Sequence, residues 1–537
     1  MAKLIVLISG NVGVGKSTLV DALEKNHAAQ TLKTREVIQQ LASKKGVVLK
    51  AERRALQFFG DRLDRETKGA WVLQALERLV VSRPDTEIIV VDAVRIIEQV
   101  KRIREAYGFQ VKHVHLTAPE AVLASRYGNR TSSGVKELDS YSAVGRNKTE
   151  ASVATLQKSA DIVIDTSRCT PEDVFTRTAS HLGLYTRNYE RLVDVVVGGE
   201  WGSEGKGHIV SYLSPEYAFI VRVGGPNAGH KVFLDPNPYT HHQLPSGTLR
   251  SLAKLIISPG SVINYDSLMK EIAECKVDSQ RLSIDPQAMI ISSADIRRES
   301  KLVSSIGSTG QGVGFATSRR IIGRSGGVRL AKDIKELTPF IRESWDILEK
   351  AYRSGSKVLV EGTQGAGLSL YHGAYPHVTS RDTSVSGSLS EAGIPPGRIR
   401  KVVLTCRSYP IRVQSPQDKS SGPMGREITW KTISKRSGIK LDQFLKTERT
   451  STTNRERRVA EFNWSMLRRA AALNGPTDLA LTFADYIAVA NEKARRFEQL
   501  TSETINFIEE IERVAAAPVS LISTRFDFRS IIDRRAW

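Results

Sequence analysis

The sequence predicts an α/β protein made of two P-loop-type parallel-sheet domains in tandem. Three observations predict it. Twice an apolar run of strand length, "KLIVLI" (3–8) and "VDVVVGG" (193–199), leads into crowded glycines and then an amphipathic stretch. Strand-like runs then alternate with helix-like ones, as in a parallel sheet wound by crossover helices. Finally, 537 residues is long for a single domain.

In the first unit "KLIVLI" reads as a buried strand and "STLVDALEKN" as the helix after it. "TEIIVVDAV", "QVKHVHLT" and "ADIVID" read as further strands. "GLYTRNYERL" (183–192) is polar and without periodicity, so the boundary is placed there, giving domains 1–186 and 187–537. The second unit restarts at "VDVVVGG"; "QSPQDKSSGPMG" (414–425) is its clearest long loop.

Composition narrows the function classes. Apolar residues make up 40% and charged residues 25%, with no run of 18 apolar residues and no signal peptide. Three scattered cysteines, Cys169, Cys275 and Cys406, exclude a disulfide framework or a zinc site. A cytoplasmic protein without a membrane partner is expected. The net charge of +20 invites nucleic acid, but the basic residues are dispersed and lack interleaved aromatics. Anionic small-molecule substrates account for the charge, and no specific nucleic acid is expected.

"GNVGVGKST" (10–18) fits G-x-x-x-x-G-K-[ST] between a strand and a helix. In that context Gly10, Gly13 and Gly15 let backbone N–H groups approach phosphates, Lys16 reaches the β/γ-phosphates and Ser17 holds Mg²⁺. Asp92 ends "IIVV", the place for a base or a second carboxylate near magnesium; a helix cap is the alternative. "SRYGNR" carries Ser125, a further candidate, and Arg126 and Arg130, two that resemble the lid arginines of small-molecule kinases. Arg35, Arg62 and Asp64 are weaker candidates to face an acceptor. The segment resembles the nucleoside monophosphate and dephospho-coenzyme A kinases, a likeness of fold that leaves the acceptor open.

"VVVGGEWGSEGKGHIV" (195–210) has the rhythm of a phosphate loop but not Walker spacing. After it come "VRVGGPNAGHKV" (221–232), "LPSGTL" (244–249), "GSTGQGVGFATSRR" (307–320), "VLVEGTQGAGLSLYHGAYPHVTSRDTSV" (358–385), "STTNRERRVAEFNW" (451–464) and "NGPTDLALTFAD" (474–485). This ordered set resembles adenylosuccinate synthetase over 192–537, in wording closer to the compact archaeal and phage branch. The resemblance implies a two-step ligation: an NTP phosphorylates O6 of a purine mononucleotide, then L-aspartate displaces that phosphate at C6.

Carried over by motif, His230 is the acid and Lys206, with Glu204, Gly205 and Gly207, the phosphate cradle. Asn227, Thr309, Gln364 and Thr379 hold the mononucleotide, Gln364 at the reacting end. Gly229 and Ser203 stand beside Mg²⁺. Arg320 or Arg324 would reach a partner subunit's nucleotide, implying a homodimer. Thr452, Thr453, Arg455 and Arg457 form the aspartate loop, where guanidinium forks suit carboxylates.

Three positions depart from the family pattern. Ser203 replaces the Asp of G-D-E-G-K-G that takes the proton from N1, and a serine hydroxyl is too weak an acid to serve as that base. It is smaller and neutral, and makes room for the 2-amino group of guanine while offering it an acceptor. This substitution is similar to phage synthetases that use dGMP, so dGMP or GMP is favoured over IMP. Phe483 replaces the Lys of T-K-x-D while Asp485 remains, and in "LISTRFD" Ser523 is kept while Arg525 replaces a glycine. Both changes lie on the donor side and bring ATP or dATP forward beside GTP. The rivals are an ordinary IMP- and GTP-using synthetase and a nucleotide sensor without turnover.

Overall fold

A computed structural model describes the chain except residues 1–3, 50–52, 130–140, 142–147, 186–189, 235–236, 325, 415–420, 450–455 and 528. It divides into two compact units, Met1–Arg187 and Asn188–Trp537.

The first unit holds a five-stranded sheet of β1 (Leu4–Ser9), β2 (Gln30–Lys33), β3 (Ile88–Asp92), β4 (Val111–Thr117) and β5 (Ile162–Asp165). The order is β2-β3-β1-β4-β5, every pairing parallel. Ile5 and Leu7 pack into one apolar cluster and Val6 and Ile8 into the other. That is why the strand reads as an unbroken apolar run: both faces of the sheet are covered. The first glycine loop leaves β1 where the strand order turns from β3 to β4, and such reversals open a crevice at the carboxyl ends of strands.

The second unit repeats the plan on a larger scale. Its main sheet contains β6 (Val193–Gly198), β7 (Phe219–Arg222), β8 (Lys254–Ile257), β9 (Leu282–Ile284), β10 (Val358–Glu361), β11 (Ile399–Arg407), β12 (Asp478–Thr482), β13 (Val519–Ser523) and β14 (Ile531–Asp533). In these labels the order is β9-β8-β7-β10-β6-β11-β12-β13-β14, parallel except for the last pair. Val193, Val195 and Val197 face one core cluster and Val196 the other. The second glycine loop leaves β6, again where the order reverses. A small antiparallel sheet of Ile411–Val413, Glu427–Ile428 and Arg457–Ala460 stands apart from the main one.

The predicted strands and the helix after each glycine loop are present. The segment 414–425 carries no regular structure in its described part, with 415–420 outside the described residues. Among the described residues no helix is long and apolar enough to cross a membrane.

Candidate active site

In the first unit the loop 10–17 curls over β1 and feeds the helix Lys16–His27. Gly10 (φ 136°) is required as glycine, because a Cβ there would overlap the Leu116 carbonyl oxygen. Lys16 bends back to donate to the carbonyls of Gly10 (2.6 Å) and Asn11 (2.9 Å), and Ser17 is exposed at the helix start. Gly13, Gly15, Lys16, Ser17, Asp92 and Arg126 all line one cavity of about 730 Å³.

Asp92 caps no helix there. It lies at the end of β3, where burial raises its pKa while Lys16, Arg95, Lys33 and Arg35 oppose that rise. Arg126 is pinned by its bonds to the Thr166 hydroxyl (2.9 Å) and carbonyl (2.8 Å). Ser125 is exposed and outside the cavity wall, and Arg130 falls outside the described residues. Arg35 and Asp64 line the cavity, but Arg62 does not: its Nε donates to Glu66 at 2.7 Å on the exposed face of its helix.

In the second unit the loop 199–205 lies between β6 and the helix Lys206–Leu213. Lys206 is buried in an ion pair with Glu204, which also accepts from the N–H groups of Glu200 (3.1 Å) and Gly202 (2.8 Å). Gly205 (φ 80°) turns the chain into the helix, and a Cβ on Gly207 would stand 2.8 Å from Cβ of His230. Ser203 is exposed, with left-handed backbone at φ 58°. Its carbonyl accepts from Nη1 of Arg407 at 3.2 Å.

His230 forms a buried pair with Glu361 through Nδ1. Glu361 also accepts from Arg222 (3.1 Å), the Ser246 hydroxyl and the Ser246 N–H (2.7 Å). The β7–β10 register sets Arg222 directly beside Glu361. Burial, then Arg222, lowers the His230 pKa to about 4. Burial would raise that of Glu361, yet Arg222 and His230 hold it at about 2. The imidazole is therefore neutral near pH 7, its Nδ1–H donated to an ionised carboxylate and Nε2 left available.

Gln364 (φ 57°) carries a buried Oε1 without a hydrogen-bond partner, and Thr309 donates to Oδ1 of Asn227 at 2.9 Å. Thr379 is half-buried, its N–H bonded to the Leu368 carbonyl at 2.8 Å. Arg320 donates to the Pro259 carbonyl at 3.0 Å, and Arg324 is exposed. Of the aspartate loop, Thr452, Thr453 and Arg455 fall outside the described residues. Arg457 opens the strand Arg457–Ala460 and donates to Glu448 at 2.9 Å.

Glu448 joins that loop to the glycine loop, for it also accepts from Arg407 (3.1 Å) and the Tyr486 hydroxyl. The Arg407 guanidinium lies 4.0 Å from the ring centre of Phe483, itself left-handed at φ 57°. Next to it Asp485 is buried with Oδ1 unpartnered, and burial, then Glu492, raises its pKa to about 8. Ser523 donates to the Arg525 carbonyl at 3.0 Å, and Arg525 donates to Asp527 at 2.5 Å.

Glu361, Arg222, Arg407 and Glu448 were not found from sequence. Three of them end strands, as Asp92 does: Glu361 closes "VLVE", Arg222 "FIVR" and Arg407 "VVLTCR". A charged residue closing an apolar run was the available signal.

Comparison with known proteins bears on both units. The family model described as adenylosuccinate synthetase matches residues 195–333 and 328–492, and one described as an AAA domain matches 6–152. The adenylosuccinate synthetase of Pyrococcus horikoshii is 37% identical over 349 residues, 64% of this chain and 98% of its own. That of Thermococcus onnurineus is 36% identical over 349 residues, with the same shares. A solved cyanophage S-2L succinoaminodeoxyadenylate synthetase, bound to dGMP and to dATP as an energy donor, aligns with a TM-score of 0.55 at 25% identity, over 65% of this chain and 96% of that one. The fully ligated Plasmodium falciparum adenylosuccinate synthetase aligns with a TM-score of 0.57 at 23% identity, over 64% and 100%, a likeness of fold.

Proposed function

The chain belongs to the adenylosuccinate synthetase family through its second unit, and we propose that this purine-nucleotide ligase joins L-aspartate to C6 of a guanine mononucleotide, dGMP before IMP. The carrying observation is Ser203: an exposed, neutral residue where the family's base stands, in a loop whose other working parts are intact. Glu204 is occupied by Lys206. The short side chain at 203 leaves room beside N1 for a 2-amino group. The Ser203 hydroxyl accepts from that group. The cyanophage relative bound to dGMP supports the same reading.

Among the described residues no group of three or more His, Cys, Asp or Glu side chains gathers as a metal cage. Mg²⁺ carried by phosphates would be held here by oxygen donors, the Ser203 hydroxyl and the Gly229 carbonyl, and by Ser17 in the first unit. When bound it supplies charge neutralisation across the phosphate oxygens. The chain does the rest. The turn Gly205–Lys206–Gly207 presents N–H groups to the phosphate, and His230, steadied by Glu361, meets the transferring phosphoryl through Nε2. Arrival of that negative charge raises the imidazole pKa and lets His230 act as the acid. Arg457 and its neighbouring loop take the aspartate carboxylates, and two copies of the chain pair as a homodimer.

ATP or dATP is the donor. Phe483 beneath Arg407 gives a stacking face, and a protonated Asp485 both donates to N1 and accepts from the 6-amino group of adenine. Guanine, with donors at N1 and N2, needs that carboxylate ionised. The first unit is a nucleotide kinase working in the same cytoplasmic nucleotide pool.

The test is a substrate matrix with Mg²⁺ and aspartate constant, pairing IMP, GMP or dGMP with GTP or ATP, products read by mass. A succinyl adduct from dGMP with ATP and none from IMP is expected. Ser203→Asp is expected to reverse the preference by at least about tenfold. An adduct from IMP alone sinks the guanine reading, and no adduct from any pair sinks turnover.

A further inference from the structure

Resting on the reading of the first unit as a nucleotide kinase, we propose that Asp64 selects its acceptor, a nucleoside monophosphate whose base carries an exocyclic amino group. The cavity of about 730 Å³ beside the P-loop is lined by charges of both signs. Lys33, Arg35 and Arg95 lie within electrostatic reach of Asp92 together with Lys16. Lys16 belongs to the donor's phosphates. Arg95 is paired with Glu150, so Lys33 and Arg35 mark an anion site beside it, the place for the acceptor's phosphate.

Asp64 is half-buried on the wall of the same cavity, whose apolar lining includes Ile38, Leu56 and Trp71. Trp71 Nε1 (2.7 Å) and Gln99 Nε2 (2.9 Å) both donate to its Oδ1. Gln99 Oε1 accepts from the Arg95 N–H at 2.8 Å, which fixes the orientation of that amide. Two donors use the two lone pairs of Oδ1. No described residue donates to Oδ2, so one rigidly held carboxylate oxygen is left for a ligand N–H. Burial raises the Asp64 pKa, the cost a ligand donor would relieve.

A base reading that oxygen must bring N–H groups to its edge. GMP offers N1–H with the adjacent 2-amino group, and IMP has a C–H in place of that amine. CMP likewise has a 4-amino group where UMP has a carbonyl, whose oxygen would face the carboxylate. The aromatic wall at Trp71 covers a ring face without discriminating among bases. In the reaction an oxygen of the acceptor's phosphate bonds to the γ-phosphorus of the NTP. The bond from that phosphorus to the β,γ-bridging oxygen breaks, its electrons staying on the donor, so NTP and NMP give two NDPs.

The experiment uses the full chain with Mg²⁺ and ATP and without aspartate, giving it GMP, IMP, CMP or UMP and measuring the acceptor's own diphosphate (GDP, IDP, CDP or UDP) by mass. Conversion of GMP over IMP, and of CMP over UMP, by about tenfold or more in kcat/KM is expected. Asp64→Asn, still able to accept from Trp71, should bring both ratios to within about threefold of one. The ratios in the unaltered protein decide the matter even if that variant does not fold. Ratios near one in the unaltered protein overturn the proposal, as do unchanged ratios in a folded Asp64→Asn. Failure to make any NDP, with ligase activity retained, overturns the kinase reading itself and is told apart from equal conversion at once.

Discussion

Each unit hangs a glycine loop from the carboxyl end of a central parallel strand, but the two lysines are housed differently. Lys16 is half-buried and rests on carbonyl oxygens of its own loop. Lys206 is almost wholly buried and already paired with Glu204, whose other oxygen takes two N–H groups of the loop. One lysine leans on loop carbonyls, and the other is tied to a carboxylate of its own loop. The same division runs through each site. The first unit pairs one cavity cation, Arg95, with Glu150 and leaves Lys33 and Arg35 apart, whereas the second ties its charges into chains, His230 to Glu361 to Arg222 and Arg457 to Glu448 to Arg407.

The sharpest break of the comparison is His230→Asn. It should lower adduct formation by the second unit by about a thousandfold, the scale of a lost acid, and leave NDP formation by the first unchanged. Equal losses in both would mean the units do not work separately. Next comes the lysine pair. Lys206→Met leaves Glu204 buried without its counter-charge and should cost about 3–5 kcal/mol in the unfolding transition of the second unit. Lys16→Met should stay within about 0.5 kcal/mol in stability while abolishing kinase turnover. Denaturant unfolding followed separately for each unit checks both.

Arg407→Lys gives a smaller effect. Lysine cannot hold Glu448 and the Ser203 carbonyl at once or lie flat on Phe483, so KM for aspartate should rise about tenfold. Steady-state kinetics in aspartate and in nucleotide separate this from a general loss. A pH effect at Asp485 is spread over several pH units. Its folded pKa of about 8 lies above the ordinary 3.8, so the protonated form favours folding. That stability is complete below about pH 4 and declines as pH rises toward 8, by at most about 1.4 kcal/mol per pH unit. Asp485→Asn should flatten this decline in melting temperature, and an unchanged slope would assign it elsewhere.

Much of this was legible because it is local. The P-loop 10–18 and the loop 198–207 are set by glycines, whose backbone no other residue tolerates as well, and by apolar runs sized for a sheet covered on both faces. Lys16, Asp92, Lys206 and His230 each follow from a motif or a strand end read in order along the chain. Arg62 shows the limit of such reading: one helical turn from Glu66, it turned outward to a surface pair rather than into the cavity.

What the chain order could not state is which charges meet. His230 and Glu361 are 131 residues apart, and Arg407 and Ser203 are 204 apart. Their meeting depends on the strand order that slots β10 between β7 and β6 and sets β11 on the other side of β6. The residue types, the glycines and the two domains were determined by the sequence itself, since each rests on neighbours along the chain. The neutral state of His230, the raised pKa of Asp485 and the open oxygen of Asp64 were decided by tertiary structure. Each is a balance between lost solvent and gained partners, and only packing of distant segments fixes both.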